Sequence, residues 1–101
     1  MLPTNIESTA CEVLRQYPVK RAAFFGSAAR GELTENSDID MLVEFFSDTR
    51  GIMFFGLHID LEKAFARHVD LITFDALYTE AKPRYKENIL RDVRIFYERE
   101  N

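Results

Sequence analysis

Two aspartates one residue apart, Asp38 and Asp40, open the run Asp38-Ile39-Asp40-Met41-Leu42-Val43-Glu44-Phe45. In a strand, side chains at i and i+2 project to the same face. Both carboxylates therefore point one way, with Leu42 and Glu44, while Ile39, Met41, Val43 and Phe45 make the other face wholly apolar and fit for a core. Two like charges held side by side are costly unless a cation compensates them. Mg²⁺ takes hard oxygen ligands and is commonly held by one or two carboxylates together with substrate phosphates. The pair looks like a metal site awaiting a triphosphate. Asp70, between Val69 and Leu71 in a second apolar run, poses the same problem in a core strand, and has the same solution if the fold brings it beside the first two.

Upstream, Gly26-Ser27 ends an apolar run and opens Ser27-Ala28-Ala29-Arg30-Gly31-Glu32, a single helical turn with Ser27 as its expected N-cap. N–H groups exposed at a helix start favour an anion. Gly26 permits close backbone approach, and the Ser27 hydroxyl is placed to donate to a phosphate oxygen. Arg30, one turn on, either adds charge to the phosphates or pairs with an aspartate. Each feature has an ordinary explanation, since an edge aspartate is usually just solvated and a Gly-Ser turn is usually just a turn. Three aspartates in two apolar strands behind such a turn are much harder to dismiss.

Other chemistries find no support. Gly26 and Gly31 have the first half of a P-loop spacing, but Glu32 stands where its lysine belongs and would repel phosphate. Neither a G-x-G-x-x-G nor a G-x-S-x-G run is present. The lone Cys11 has no disulfide partner and is expected to pack. His58 and His68 lack metal-ligand spacing. Phe24, Phe25, Phe45, Phe54 and Phe55 have few basic residues among them and suit a core better than a base-stacking platform.

The elements that must position these residues follow from periodicity. A helix is expected over 4–17, with a Thr4/Glu7 capping box, an apolar face of Ile6, Ala10, Val13, Leu14 and Tyr17, and Pro18 at its end. Strands follow over 19–25 and 38–45. A helix over 52–67 buries Phe54, Leu57, Leu61, Ala64 and Phe65. A third strand covers 69–74, and 75–81 is irregular. The last helix covers 83–98, opened by Pro83, with Tyr85, Ile89, Val93, Phe96 and Tyr97 as its stripe. The order gives one α/β domain, residues 1–101, with helices packed on a sheet of three strands.

The chain has 101 residues, 47% of them hydrophobic, and a net charge of −4. That is enough apolar material for a core, and the acidic balance argues against direct nucleic-acid binding. No apolar run is long enough to span a membrane, and Met1–Thr9 lacks a basic, apolar leader. A cytoplasmic location with no membrane partner is expected.

Gly26-Ser27-Ala28-Ala29-Arg30-Gly31, followed by Ser37-Asp38-Ile39-Asp40-Met41-Leu42-Val43, resembles the GSxARG…SDIDLLV signature of the minimal nucleotidyltransferases, small relatives of the DNA polymerase β-like superfamily. Val69-Asp70-Leu71-Ile72 is similar to the strand that carries that family's third carboxylate, and Lys82-Pro83…Ile89-Leu90 to its closing helix. The likeness runs over nearly the whole chain. It implies an α+β polymerase β-like nucleotidyltransferase fold with a small mixed sheet flanked by helices. Strand alternation alone suggests parallel crossovers, but the connection 26–37 is short for one, at or near the minimum of about 12 residues. It also implies transfer of AMP from ATP, with two Mg²⁺ ions held by the catalytic residues Asp38, Asp40 and Asp70, and the nucleotide held by Gly26, Ser27 and Arg30. Free-standing members of this size resemble the antitoxin of a two-protein module whose partner is a helical HEPN-type ribonuclease toxin, and AMP passes to a tyrosine of that toxin. The toxin's own Arg-x4–6-His motif is absent, because seven residues separate Arg50 from His58. Two alternatives stand beside this reading: a non-catalytic antitoxin that acts by binding alone, and a small-molecule nucleotidyltransferase, which usually carries an additional acceptor domain. Ala28 departs from the pattern, since many members carry a basic or bulky residue there and alanine would remove a phosphate or partner contact. Parts of the segment 46–56, with Ile52, Met53, Phe54 and Phe55 in apolar surplus, are expected together with the final helix at the mouth of the aspartate cluster, facing the partner.

Overall fold

From Ala22 to Phe25 every residue of the first strand is buried. A strand apolar on both faces must lie inside a sheet covered on both sides, and this one does. The computed structural model describes residues 5–47 and 51–100. Its elements are α1 (Ile6–Leu14), β1 (Val19–Phe25), α2 (Gly26–Arg30), β2 (Ile39–Phe45), α3 (Ile52–Phe65), β3 (Val69–Thr73), α4 (Phe74–Thr79), α5 (Pro83–Asp92) and β4 (Arg94–Glu98). The sheet order is β3-β2-β1-β4. β1 runs antiparallel to both β2 and β4, whereas β2 and β3 are parallel and joined by the α3 crossover. The mixed α+β architecture is the expected one, with a fourth strand added.

The alternation along β1 and β2 assigns each side chain to a face. One face carries Ala22, Phe24, Ile39, Met41 and Val43, and packs under Ala10, Val13 and Leu14 of α1 and Leu57, Leu61 and Phe65 of α3. The other carries Ala23, Phe25 and Leu42 under Phe74 and Leu77 of α4 and Ile89 of α5. Leu42, grouped by alternation with the aspartates, is therefore fully buried as well. No polar or charged residue is buried among the described residues.

Several expectations need correction. The helix expected over 83–98 ends at Asp92, and Val93 turns extended (φ −59°, ψ 131°) to start β4. Residues 93–98 are rich in β-branched and aromatic types, which suit a sheet edge. They pair with β1, and the Phe96 ring stacks on Phe24 at 4.2 Å. Thr4 lies outside the described residues. The cap of α1 is Asn5, whose side chain accepts from the Ser8 N–H at 3.0 Å, and Glu7 pairs instead with Arg94 at 2.6 Å. Ala64 is exposed, so α3 buries a narrower stripe than its pattern implied. Phe74, expected to end the third strand, and residues 75–79, expected to be irregular or a short turn, form α4, capped by the Thr73 hydroxyl on Ala76 N–H.

Candidate active site

β1 ends where α2 begins, and the joint is Gly26. Its φ is +63°, in the left-handed region that side chains disfavour. A Cβ there would lie 2.5 Å from Asp40 Oδ2. Glycine is thus required twice over, and its bare backbone lies directly against the Asp40 carboxylate. Phe25 pairs with Asp40 across the β1–β2 ladder, and Asp40 pairs with Asp70 across β2–β3. Neighbouring strands lie about 4.8 Å apart, so the two carboxylates stand side by side on the α4/α5 face of the sheet. Asp38 immediately precedes β2, one position away from strand geometry, and is exposed.

Burial pushes the Asp40 acid from 3.8 up to about 6, helped by the negative charges of Asp70 and then Asp38, while His68 and Arg30 pull it back. Among the described residues, no lysine or arginine pairs with any of the three aspartates. Uncompensated carboxylates crowded this way suit a divalent cation. Yet no three acidic, histidine or cysteine side chains among the described residues converge as a ready-made cage. That arrangement suits Mg²⁺ arriving with a triphosphate that supplies the remaining oxygens.

Other candidates fall in different places. Asp70 is not in a covered core strand. β3 is the sheet edge, and Asp70 is exposed between buried Val69 and Leu71. Ser27 is not the cap of α2, because the N-cap position is Phe25. Ser27 lies in the first turn, and its hydroxyl makes no hydrogen bond among the described residues. Arg30 pairs with none of Asp38, Asp40 and Asp70. It reaches Glu32 at 2.7 Å and Asp92 at 2.8 Å, tying α2 to the end of α5. Ala28 is 2% exposed and faces the core, so the departure at this position falls on packing and not on a phosphate contact. Ile52, Met53 and Phe55 are exposed, but they sit at the wrong end of the sheet for the expected rim. They follow the C-terminal end of β2, whereas Asp40 is near its start, roughly 17 Å away at strand rise. A groove of about 740 Å³ opens at that far end among Val43, Phe45, Phe54, Leu71 and Thr73, and includes none of Asp38, Asp40 and Asp70.

Tyr85 belongs to the site neighbourhood although its sequence position suggested only a helix stripe. It lies one turn before Ile89 on α5, is half-exposed, and its phenol is pushed up by burial and by the charges of Asp70 and Asp40. Nothing in its spacing separated it from a core tyrosine.

A mixed sheet clothed by helices on both faces, with carboxylates gathered at one end, defines an α+β domain. Over residues 6–96 the sequence matches the model of the nucleotidyltransferase domain, and the chain belongs to that family. A candidate protein adenylyltransferase of Methanocaldococcus jannaschii is 38% identical over 88 residues, covering 87% of this chain and 90% of that one. Among solved structures, a chain of a toxin–antitoxin crystallised with AMP-PNP superposes with a TM-score of 0.71 at 23% identity, over 92% of this chain and 73% of that chain. A chain in the complex of a tri-AMPylated HEPN toxin with an MNT antitoxin from Shewanella oneidensis gives a TM-score of 0.65 at 19% identity, over 93% of this chain and 71% of that chain. The fold is shared with these minimal nucleotidyltransferases.

Proposed function

We propose that the chain transfers AMP from ATP to a hydroxyl of a partner protein, a tyrosine of a HEPN-type toxin, and so acts as that toxin's antitoxin. The observation that carries this reading is the pairing of Asp40 with Asp70 on adjacent strands, with the side-chain-free Gly26 turn against Asp40. The adenylyltransferase description of its relative and the AMP-PNP and AMPylated complexes among its structural neighbours support it.

Asp38, Asp40 and Asp70 would hold Mg²⁺, which when bound supplies charge neutralisation for the triphosphate and a more acidic acceptor hydroxyl. Gly26 leaves room for phosphate beside the carboxylates, and the Ser27 hydroxyl would donate to a phosphate oxygen. Arg30 adds positive charge at the same end and would trade Glu32 for phosphate. The acceptor oxygen forms a bond to the α-phosphorus as the bond to the β-phosphate bridging oxygen breaks, and pyrophosphate leaves. Asp70, exposed on the edge strand, is accessible to take the hydroxyl proton. ATP is plentiful in the cytoplasm, the compartment this reading requires.

The test is co-expression with the product of the neighbouring gene and incubation with α-labelled ATP. Label should appear on a partner tyrosine with the native chain and not with Asp40→Asn. A complex that forms and silences the partner without label would identify a binding-only antitoxin.

A further inference from the structure

Two of the three aspartates lie on backbone that is not well held by the sheet itself. Asp38 follows the 34–37 loop, outside β2, and Asp70 is on the edge strand, whose outer side has no neighbouring strand. Both segments are gripped by the end of α3. The helix stops at Ala66, which adopts φ +55°, ψ 40°, an uncommon conformation for a residue with a Cβ. This left-handed turn is followed by Arg67, whose guanidinium NH1 donates to the carbonyls of Thr34 and Ser37, both at 2.9 Å. The loop is also closed on itself, with Thr34 N–H donating to Ser37 Oγ at 3.1 Å and Ser37 N–H to Thr34 O at 3.2 Å. Arg67 Nε is buried with no hydrogen-bond partner among the described residues. The side chain is thus held at this spot by its two carbonyl contacts.

On the other side of the same helix end, Glu62 and His58 hold Val69, the residue before Asp70. Val69 N–H donates to Glu62 Oε2 at 2.9 Å, and His58 Nε2 lies 2.7 Å from Val69 O. Glu62 Oε2 also lies 2.9 Å from His68 Nδ1 and 3.3 Å from His58 Nε2. In a strand a residue's N–H and C=O point to one side, so these side chains supply Val69 with the partners that a further strand would otherwise give.

We propose that the C-terminal end of α3 is a clasp in which Arg67 positions the Asp38 loop and Glu62 positions the Asp70 strand, setting the two outer carboxylates about Asp40. It rests on the reading of these aspartates as the metal-binding set, and it identifies what holds them there. Neither Arg67 nor Glu62 touches a reacting atom in this scheme. Both act through backbone, as outer partners of metal ligands do, and removal of such partners typically costs about 10–100-fold in metal affinity or activity.

The test uses the full chain and Mn²⁺ alone as the probe, its binding followed by electron paramagnetic resonance, with thermal melting as the check on folding. AMP transfer to the co-purified partner is measured in parallel. Arg67→Ala and Glu62→Ala should each weaken Mn²⁺ binding by roughly tenfold or more and lower kcat more than they raise the ATP KM. Arg67→Lys and Glu62→Gln keep a donor for the carbonyls and an acceptor for Val69 N–H, and should recover most of the loss. Native Mn²⁺ affinity in both alanine variants overturns the clasp, as does an equal loss in the alanine and conservative variants with lowered melting temperatures, which marks general destabilisation. A native chain that neither binds Mn²⁺ nor transfers AMP refutes the active-site reading itself, and the clasp with it. A native chain that does both, beside unaffected variants, refutes the clasp alone.

Discussion

Gly26 and Asp40 constrain each other, and that mutual constraint gives the sharpest expectation at the scale of single residues. Gly26→Ala meets a positive φ and places a methyl 2.5 Å from Asp40 Oδ2. The conformation alone should cost about 1–2 kcal/mol, and the displaced carboxylate should cut AMP transfer at least tenfold, read by urea melts and label transfer. Asp40→Asn should abolish transfer yet leave a folded chain. The folded Asp40 acid sits near 6, raised from 3.8, so the folded state holds this proton more tightly than the unfolded state does. Its stabilising contribution is full below about pH 4 and is lost as pH rises through 6. Without metal, Asp40→Asn should therefore melt higher than the native chain at pH 7, by about 1 kcal/mol once solvent screening at this half-buried group is allowed for. The difference should vanish near pH 4, and a native melting temperature flat between pH 4 and 7 would contradict this. The strand place of Asp40 and the turn at Gly26 were legible because period-two alternation and a glycine before a helix are local signals, while Asp38 falls one residue outside the strand that the alternation gave it. The exposure of Asp70 was not, because flanking apolar residues look the same in an edge strand as in a central one. The partners of Arg30 and the place of Tyr85 depend on α5, which no local signal ties to the aspartates.

Among the elements, the first three strands followed their patterns closely and α3 in its start and its main stripe, while the end of the chain did not. Val93, Phe96 and Tyr97 satisfy a helical stripe after Ile89, and a window of six such residues also satisfies a strand. What decides between them is the empty side of β1, a long-range fact. Phe24 sits at this junction, fully buried and stacked on Phe96. Phe24→Ala should cost about 3–5 kcal/mol in a urea melt, whereas a β4 that contributes nothing would leave a smaller loss. A second contact ties the turn after α1 to α3. The Tyr17 phenol donates to Asp60 and lies over Gly56, where a Cβ would come within 3.2 Å of its oxygen. The same bond holds the Tyr17 proton, pushing that phenol up to about 12. Tyr17→Phe should destabilise by about 1 kcal/mol, the lower end for a hydrogen bond to a charged group because the site is partly exposed.

The molecule as a whole presents two distinct ends: the carboxylates at the start of β2, and the exposed Ile52 and Phe55 with the mostly apolar groove at its finish. Apolar surplus in 46–56 was visible in sequence, and so was its separation from Asp40, because the segment leaves the far end of the strand that the aspartates open. If the carboxylate end takes ATP with a cation, Mg²⁺-ATP at 100 times its Kd should stabilise the native fold by about 2.7 kcal/mol, seen as a higher melting temperature. Adding a chelator should remove most of that gain, and a gain that survives chelation would argue against a cation-dependent site. Sheet order also bears on how the chain is made. β1 leaves the ribosome before either of its partners, and one of its two pairing edges is reserved for residues 94–98. Until those residues emerge, a central strand whose second half, Ala22–Phe25, is wholly apolar has an open flank, and the nascent chain must wait, or be shielded, for some seventy residues of translation. A chain stopped after Asp92 should accordingly collect in the pellet when synthesised, whereas the chain through Glu98 stays in the supernatant.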